Sequence, residues 1–326
     1  MTTILTQSTD KGKRLDKFLA EKITNKTRSQ IKKMVREGLV LINNKPAKVH
    51  QFLKTDDQIV INEITKIINV QKAKVEEKMI SPEIIFENKD YVVIDKPPGL
   101  LVHPTDKGES NTLTDWLKSK YPGIENVGED QQRSGLVHRL DKDVSGVMVV
   151  AKNNAAFNHL KKEFQERKVT KHYTALVYGR IQKNSGDIDL PIGRNKDGQF
   201  VAHPRKGEDK YQETDKFAKT HYVVLEYIKD YTLLEVEIFT GRTHQIRAHL
   251  SAIGHPIVGD RIYRPRKKFL NLLRTKIKVI DLPRIFLHSS HLGFYDLKGD
   301  LQEFKSDLPA ELAEFLNNQK RKIASG

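Results

Sequence analysis

Three stretches combine charged side chains with glycine and short apolar runs, a combination that a packed core does not require. They are Lys96-Pro97-Pro98-Gly99 followed by His103-Pro104, GLVHRLDKDVSGVMVVAK from Gly135 to Lys152, and FTGRTHQIRAHLSAIGHPIVGD from Phe239 to Asp260. In the second, His138-Arg139-Leu140-Asp141 is a turn that presents a carboxylate and a guanidinium just before the apolar strand Val147–Val150, and loops at strand ends are where catalytic groups are mounted. In the third, a strand ends at Thr240-Gly241. Thr243 is placed to cap a helix carrying Gln245, Ile246, Arg247 and Leu250, which stops at Gly254. An arginine on such a helix reaches a carboxylate bidentately and holds it ionised. A positioned carboxylate is the raw material of acid–base or covalent chemistry; the plain alternative is a strand-turn salt bridge.

Other chemistries are excluded by what the chain lacks. It has no cysteine, which removes disulfides, thiolate metal sites and cysteine nucleophiles. There is no G-x-x-x-x-G-K-[ST], no G-x-G-x-x-G, no H-E-x-x-H and no G-x-S-x-G. His244, His249 and His255 fall close together without a carboxylate at a standard ligand spacing, so no metal is expected and packing or RNA contact accounts for them.

The elements that must carry these stretches lie in a chain of 326 residues with a net charge of +15, a polyanion-facing bias. Hydrophobic content of 37% and charged content of 30% are globular, and the length suits one or two domains. No apolar run reaches signal or membrane-span length, and the absence of cysteine fits a reducing cytoplasm, so a cytoplasmic, membrane-free protein is expected. Residues 11–54 hold 13 Lys and Arg against Asp16, Glu21 and Glu37. There, Leu15, Phe18 and Leu19, and again Ile31, Met34 and Val35 after Thr27-Arg28-Ser29, follow helical spacing. Gly38, the run Leu39–Ile42, Asn43-Asn44 and Gln58–Ile61 then read as stop, strand, turn and closing strand. Residues 1–62 are therefore expected to form a small α-plus-hairpin domain with its core at 13–61, and residues 63–82, mixed in charge and ended by Ser81-Pro82, a linker. Residues 83–326 read as an α+β domain. It has a hairpin through Ile84–Phe86 and Tyr91–Ile94, a buried strand at 146–151 and a helix capped by Asn153 with Ala156, Phe157, Leu160 and Phe164 on one face. Strands follow at 173–178 and around Leu234, Val236 and Ile238, and an amphipathic helix begins near Pro309. Arg264–Lys278 is a second basic patch.

HRLDKDVSG, with KPPG and VHP upstream, KHYTALVYG downstream and TGRTHQIRAHL with GHPIVGD later, resembles the RluA/RluD-type family of RNA pseudouridine synthases. RLDKFLAEKITNKTRSQIKKMVREGLVLINNKPAK resembles the small RNA-binding domain named after ribosomal protein S-four. Together the resemblances cover residues of about 13 to 300 in the family's order.

The resemblance implies a mixed, mainly antiparallel sheet in the catalytic domain and an isomerisation. The uracil N-glycosidic bond breaks, the base turns over and its C5 joins the sugar, with no cofactor required. It casts Asp141 as the essential carboxylate, whether toward base or sugar, Tyr173 as the platform on which the flipped uracil stacks, and Arg247 as the partner of Asp141. Arg139 is expected in the space the base vacates, and His138, Lys96, Arg242 and His244 beside the substrate. Arg14, Lys17, Arg28, Lys32, Lys33 and Arg36 of the N-terminal domain are expected on RNA phosphates. Asp143 reads as a turn carboxylate. Val144 departs from the family's usual Thr and lacks its hydroxyl. Large-subunit ribosomal RNA is the leading substrate expectation, in free RNA or precursor particles. The alternatives are transfer RNA and a non-catalytic RNA-binding ribosome-assembly factor. A glycoside hydrolase would need two carboxylates facing one cleft, and one emerges.

Overall fold

The computed structural model describes residues 2–23, 31, 34–35, 38–49, 51–61, 80–105, 108–195, 198–203, 215–264, 280 and 282–324. The chain divides into two compact units, Met1–Lys78 with Thr105–Gly108, and Met79–Pro104 with Glu109–Gly326.

In the N-terminal unit, strands β1 (Thr2–Leu5), β2 (Val40–Ile42), β3 (Lys45–Pro46) and β4 (Gln58–Ile61) form an antiparallel sheet in the order β1-β4-β2-β3. Helix α1 (Leu15–Lys22) buries Leu15, Phe18 and Leu19, which share a core with Ile31, Val35, Val40, Ile42, Ile59 and Ile61. The helical spacing of these residues is thus the packing face itself. Asn43 and Asn44 both adopt positive φ, 51° and 62°, the twist that a two-residue hairpin turn demands. Strand β1 was not foreseen, because Thr2-Thr3-Ile4-Leu5 is too short to show a period; it pairs Thr3 with Val60 and Ile4 with Ile59. Lys17 is exposed. Arg14, half-buried, is held by a two-pronged ion pair to the fully buried Asp16, with both bonds 3.1 Å, which gives it a structural role. Arg28, Lys32, Lys33 and Arg36 lie outside the described residues, as do residues 62–79 and 265–279.

The second unit is built on one mixed sheet. Its strands are β5 (Glu83–Glu87), β6 (Tyr91–Lys96), β7 (Ser145–Ala151), β8 (Thr170–Tyr178), β9 (Ser185–Asp189), β12 (Lys219–Ile228), β13 (Tyr231–Ile238), β14 (Leu287–Tyr295) and β15 (Leu301–Lys305), with β10 (Ile192–Arg194) and β11 (Phe200–Ala202) forming a separate hairpin. The order is β5-β6-β7-β14-β8-β13-β12-β9, with β15 on β14. Every pairing is antiparallel except β7 with β14. β7 is buried at all seven positions, which is why its sequence is a continuous apolar run. Helices α2 (Leu113–Lys120), α3 (Asn154–Gln165), α4 (Gln245–Ala252) and α5 (Ala310–Ala324) complete the unit. Asn153 caps α3 through Oδ1, which accepts from the Ala156 N–H at 2.9 Å.

Two glycines let the segment bearing Asp141 lie against this sheet. Gly135, at φ 69°, sits where a Cβ would be 2.3 Å from the Ala151 carbonyl oxygen, and Gly146, at φ 119°, where it would be 2.2 Å from that of Ser289. Any larger residue would push the segment off β7 or open the β7–β14 pairing.

Candidate active site

Asp141 stands in the turn that enters β7, closed by the Val144 N–H donating to the Asp141 carbonyl at 3.1 Å. Arg247 comes from the first turn of α4. Its Nη1 donates to Asp141 Oδ2 at 2.9 Å, while Nε and Nη2 donate to the two oxygens of Asp260 at 2.7 and 3.0 Å. The bidentate fork therefore grips Asp260, and Asp141 receives a single N–H from Nη1. Asp260 is fully buried as a side chain and also accepts the N–H groups of Ile262 and Tyr263 at 2.8 and 3.0 Å. Burial alone would raise its pKa, but Arg247 and these amides outweigh it and hold the carboxyl below the usual range. Burial likewise works against the Arg247 charge, and the two aspartates more than restore it. One guanidinium thus serves two carboxylates, a buried one that aims it and a partly open one that it presents to the cleft.

The start of α4 departs from the expected cap. His244, not Thr243, occupies the cap position, at a strained φ of 57°. Gln245 supplies the tie, accepting through Oε1 from the Thr240 hydroxyl (2.7 Å) and the Arg242 N–H (3.0 Å) and donating through Nε2 to the Lys219 carbonyl (2.9 Å) and Thr220 Oγ1 (3.0 Å). His244 Nε2 lies 3.7 Å from Asp141 Oδ2, and its Nδ1 meets the Tyr263 hydroxyl at 3.2 Å. His249 and His255 are tied elsewhere, to Thr220 with the Leu190 carbonyl and to the Tyr178 carbonyl.

Tyr173 from β8 lines the same cleft as Asp141 and Arg247, together with Arg139, Val144, Arg242 and His244. The cleft is open to solvent, and the space among these side chains, open solvent included, is about 540 Å³. The Tyr173 ring is 6% exposed, and burial, with Asp141 nearby, raises its phenol well above the ordinary value, so it stays protonated. Val144, 3% exposed, offers the cleft an apolar wall where a threonine would bring a hydroxyl. Arg139 is exposed and its Nη1 donates to His103 Nε2 at 2.9 Å; His103 Nδ1 in turn faces the Pro104 carbonyl at 2.9 Å. The VHP motif thus orients the arginine. Arg242 is half-buried and donates through Nε to the Phe217 carbonyl at 3.1 Å. Asp143 is exposed.

One of the expected substrate contacts is corrected. Lys96 is completely buried, and its ammonium donates to the carbonyls of Pro97, Leu100 and Lys142 at 2.8, 2.9 and 3.0 Å. Burial, with Arg284 close by, pushes it down to about 7. All three of its N–H bonds are used, so Lys96 holds the Lys96–Leu100 loop to the residue beside Asp141 instead of touching substrate. Lys96→Met leaves three carbonyls without a donor at a cost of about 3 kcal/mol or more. It is expected to lower the denaturation midpoint and turnover together, which unfolding curves and rate measurements on the same preparation would check.

His138, half-buried at the edge of the site, also has a structural task. Its Nε2 accepts the Val149 N–H at 3.1 Å and its ring stacks on Phe164 at 4.6 Å, so it braces the turn against β7. Burial, with Lys171 adding to it, lowers His138 to about 3. An unfolded histidine titrates near 6.5, so below that pH the unfolded chain takes up a proton that the folded chain refuses. The stability His138 contributes is complete above about 6.5 and is lost as pH falls from there toward 3. His103, His249, His255 and His288, also lowered mainly by burial, act in the same direction. Unfolding free energy is expected to drop between pH 7.5 and 5, and less steeply in His138→Gln, as denaturant titrations at the two pH values would show.

An arginine-held carboxylate and a buried tyrosine thus share one cleft in a chain of net charge +15. The RNA pseudouridylate synthase family model matches residues 90–252, and the S4 domain model residues 13–59. The chain is 39% identical over 305 residues to an RNA pseudouridine synthase of Aquifex aeolicus, the match covering 91% of this chain and 90% of that one. It is 34% identical over 313 residues to the ribosomal large subunit pseudouridine synthase D of Escherichia coli (strain K12), covering 94% and 90%. The solved structure of Human RNA Pseudouridylate Synthase Domain Containing 1 aligns with a TM-score of 0.55 at 27% identity, covering 74% of this chain and 96% of that one. The chain belongs to the RNA pseudouridine synthase family and is an enzyme with an N-terminal S4 domain. No helix among the described residues is long and apolar enough to cross a membrane.

Proposed function

We propose that the enzyme isomerises specific uridines of large-subunit ribosomal RNA, with Asp141 as the essential carboxylate and Tyr173 beneath the flipped base. The observation that carries this reading is the meeting of Asp141, Arg247 and Tyr173 in one cleft. Asp141 is 20% exposed and Arg247 11%, so the carboxylate is reachable while its counter-charge is shielded. The residues divide the work. Asp260 aims Arg247, Arg247 holds Asp141, Tyr173 offers a π-face to the uracil, and Arg139, steadied by His103, stands at the mouth to fill the stack the base leaves. Asp260 is sealed and fully bonded, and among the described residues that line the cleft with Tyr173 the carboxylate is Asp141 alone, so no second acid is set there for glycoside hydrolysis. Ribosomal RNA as substrate is supported by the likeness to the large-subunit synthase over nearly the whole chain and by the basic N-terminal domain.

Because C5 of the uracil becomes the glycosidic carbon, turnover expels the C5 hydrogen. Purified enzyme is expected to release tritium from a large-subunit RNA transcript carrying 5-tritiated uridine, to a limit of one or a few sites per molecule. Release from transfer RNA alone would redirect the substrate assignment.

A further inference from the structure

A trough adjoins the cleft and shares Arg139, Tyr173, Ile238, Gly241 and Arg242 with it. Six cations line this trough, Arg133, Arg139, Lys161, Arg167, Lys171 and Arg242, and no aspartate or glutamate does. Arg133 and Lys161 reach back to Asp130 and Glu129, outside the lining. Lys171 differs from the rest. It is 8% exposed, its ammonium lies 5.6 Å over the Phe164 ring, and among the described residues nothing accepts a hydrogen bond from it; Glu237 acts on it only at a distance. A buried ammonium without a hydrogen-bonded anion is costly, and the trough is the side from which an anion can arrive. Lys171 and Tyr173 are two residues apart on β8 and so point to the same face, with ~6.6 Å between their backbone positions, the scale of a single nucleotide.

We propose that Lys171 binds the phosphodiester next to the flipped uridine, and that the trough carries the RNA strand running from it. The proposal rests on the reading that Tyr173 lies beneath the flipped base. A phosphate here meets the Lys171 ammonium directly, with Arg167 and Arg242 along the strand's path, and the aromatic ring of Phe164 beneath Lys171 keeps the charge facing outward. The N-terminal domain then need not be what positions the reacting nucleotide.

The test uses the full chain with Lys171→Met, an apolar side chain of similar length, and Lys171→Arg, which keeps the charge. In the tritium-release assay Lys171→Met is expected to raise KM about tenfold and to reduce the slope of log affinity against log salt by about 0.7, one phosphate on a single strand; Lys171→Arg recovers most of both. In parallel, binding of short uridine oligonucleotides to Asp141→Ala is measured with one flanking phosphate replaced by a neutral methylphosphonate. The replacement is expected to weaken binding when Lys171 is present and to have little effect in Asp141→Ala/Lys171→Met. Equal weakening in both, or an unchanged KM and salt slope in Lys171→Met, overturns the proposal. Should Lys171→Met fail to fold, the methylphosphonate effect on the Lys171-containing chain decides alone. Because the oligonucleotide arm requires no turnover, failure of the ribosomal-RNA assignment leaves it readable.

Discussion

Asp141→Ala is expected to reduce pseudouridine formation by at least about 10³-fold while RNA affinity stays within a factor of a few of the wild type. The size follows from removing the carboxylate that faces the cleft beside Arg247 and Tyr173, since a positioned acid, base or nucleophile contributes about 10²–10⁴-fold. Affinity is spared because a carboxylate contributes nothing to holding phosphates, and the removal of a negative charge near them acts the other way. Asp141→Asn keeps the shape and tests charge alone; it is expected to fail as badly, because an amide neither attacks nor accepts a proton. Single-turnover rates and filter-binding isotherms on the same preparations separate the two quantities. An alanine variant retaining a tenth of the activity would remove Asp141 from the chemistry.

The second large effect lies one bond further back. Asp260→Asn is expected to cost about 3–5 kcal/mol of stability and at least about 100-fold in turnover. Arg247, at 11% exposure, would lose the partner that takes two of its N–H bonds, and an amide returns one acceptor where the carboxylate supplied two. The Ile262 and Tyr263 amides that converge on the same carboxylate oxygen would face a neutral group. The guanidinium would then be free to swing fully onto Asp141 and hold it in the wrong place. Denaturant unfolding gives the first number and kcat the second. A variant as stable as the wild type would show that Arg247 is aimed by something other than this pair.

What the sequence disclosed and what it hid follow a physical line. Asp141, Tyr173 and Arg247 stand in separate short motifs whose residue types already suggest a role, and the structure brings the three to one cleft. Asp260 was visible as the last letter of GHPIVGD, yet nothing in a linear spacing of thirteen residues says that a guanidinium will turn its fork backward onto it. Lys96 was misread because charge in a motif looks like ligand contact until burial is known; its three N–H groups turn out to be consumed by backbone carbonyls, and this is the commonest fate of a buried polar atom. The same blindness applied to Lys171, which opens the quoted KHYTALVYG motif and whose burial, not its type, sets it apart. For the fold, the helices α1, α3, α4 and α5 and the strands β5, β6, β7, β8 and β13 were legible from their residue patterns, whereas helix α2 and strands β12 and β14 were not foreseen, and neither was β1, four residues that acquire meaning only through pairing with β4. The Thr243 cap failed because Gln245 already satisfies the turn, leaving His244 to adopt the left-handed backbone.

The most direct test of the account is a chemical map of pseudouridine across ribosomal and transfer RNA from cells lacking this enzyme, complemented with either the wild type or Asp141→Ala. One or a few large-subunit positions are expected to lose pseudouridine on deletion, to regain it with the wild type and not to regain it with Asp141→Ala expressed at the same level. Large-subunit positions that stay modified in the deletion, or that Asp141→Ala restores, would contradict it.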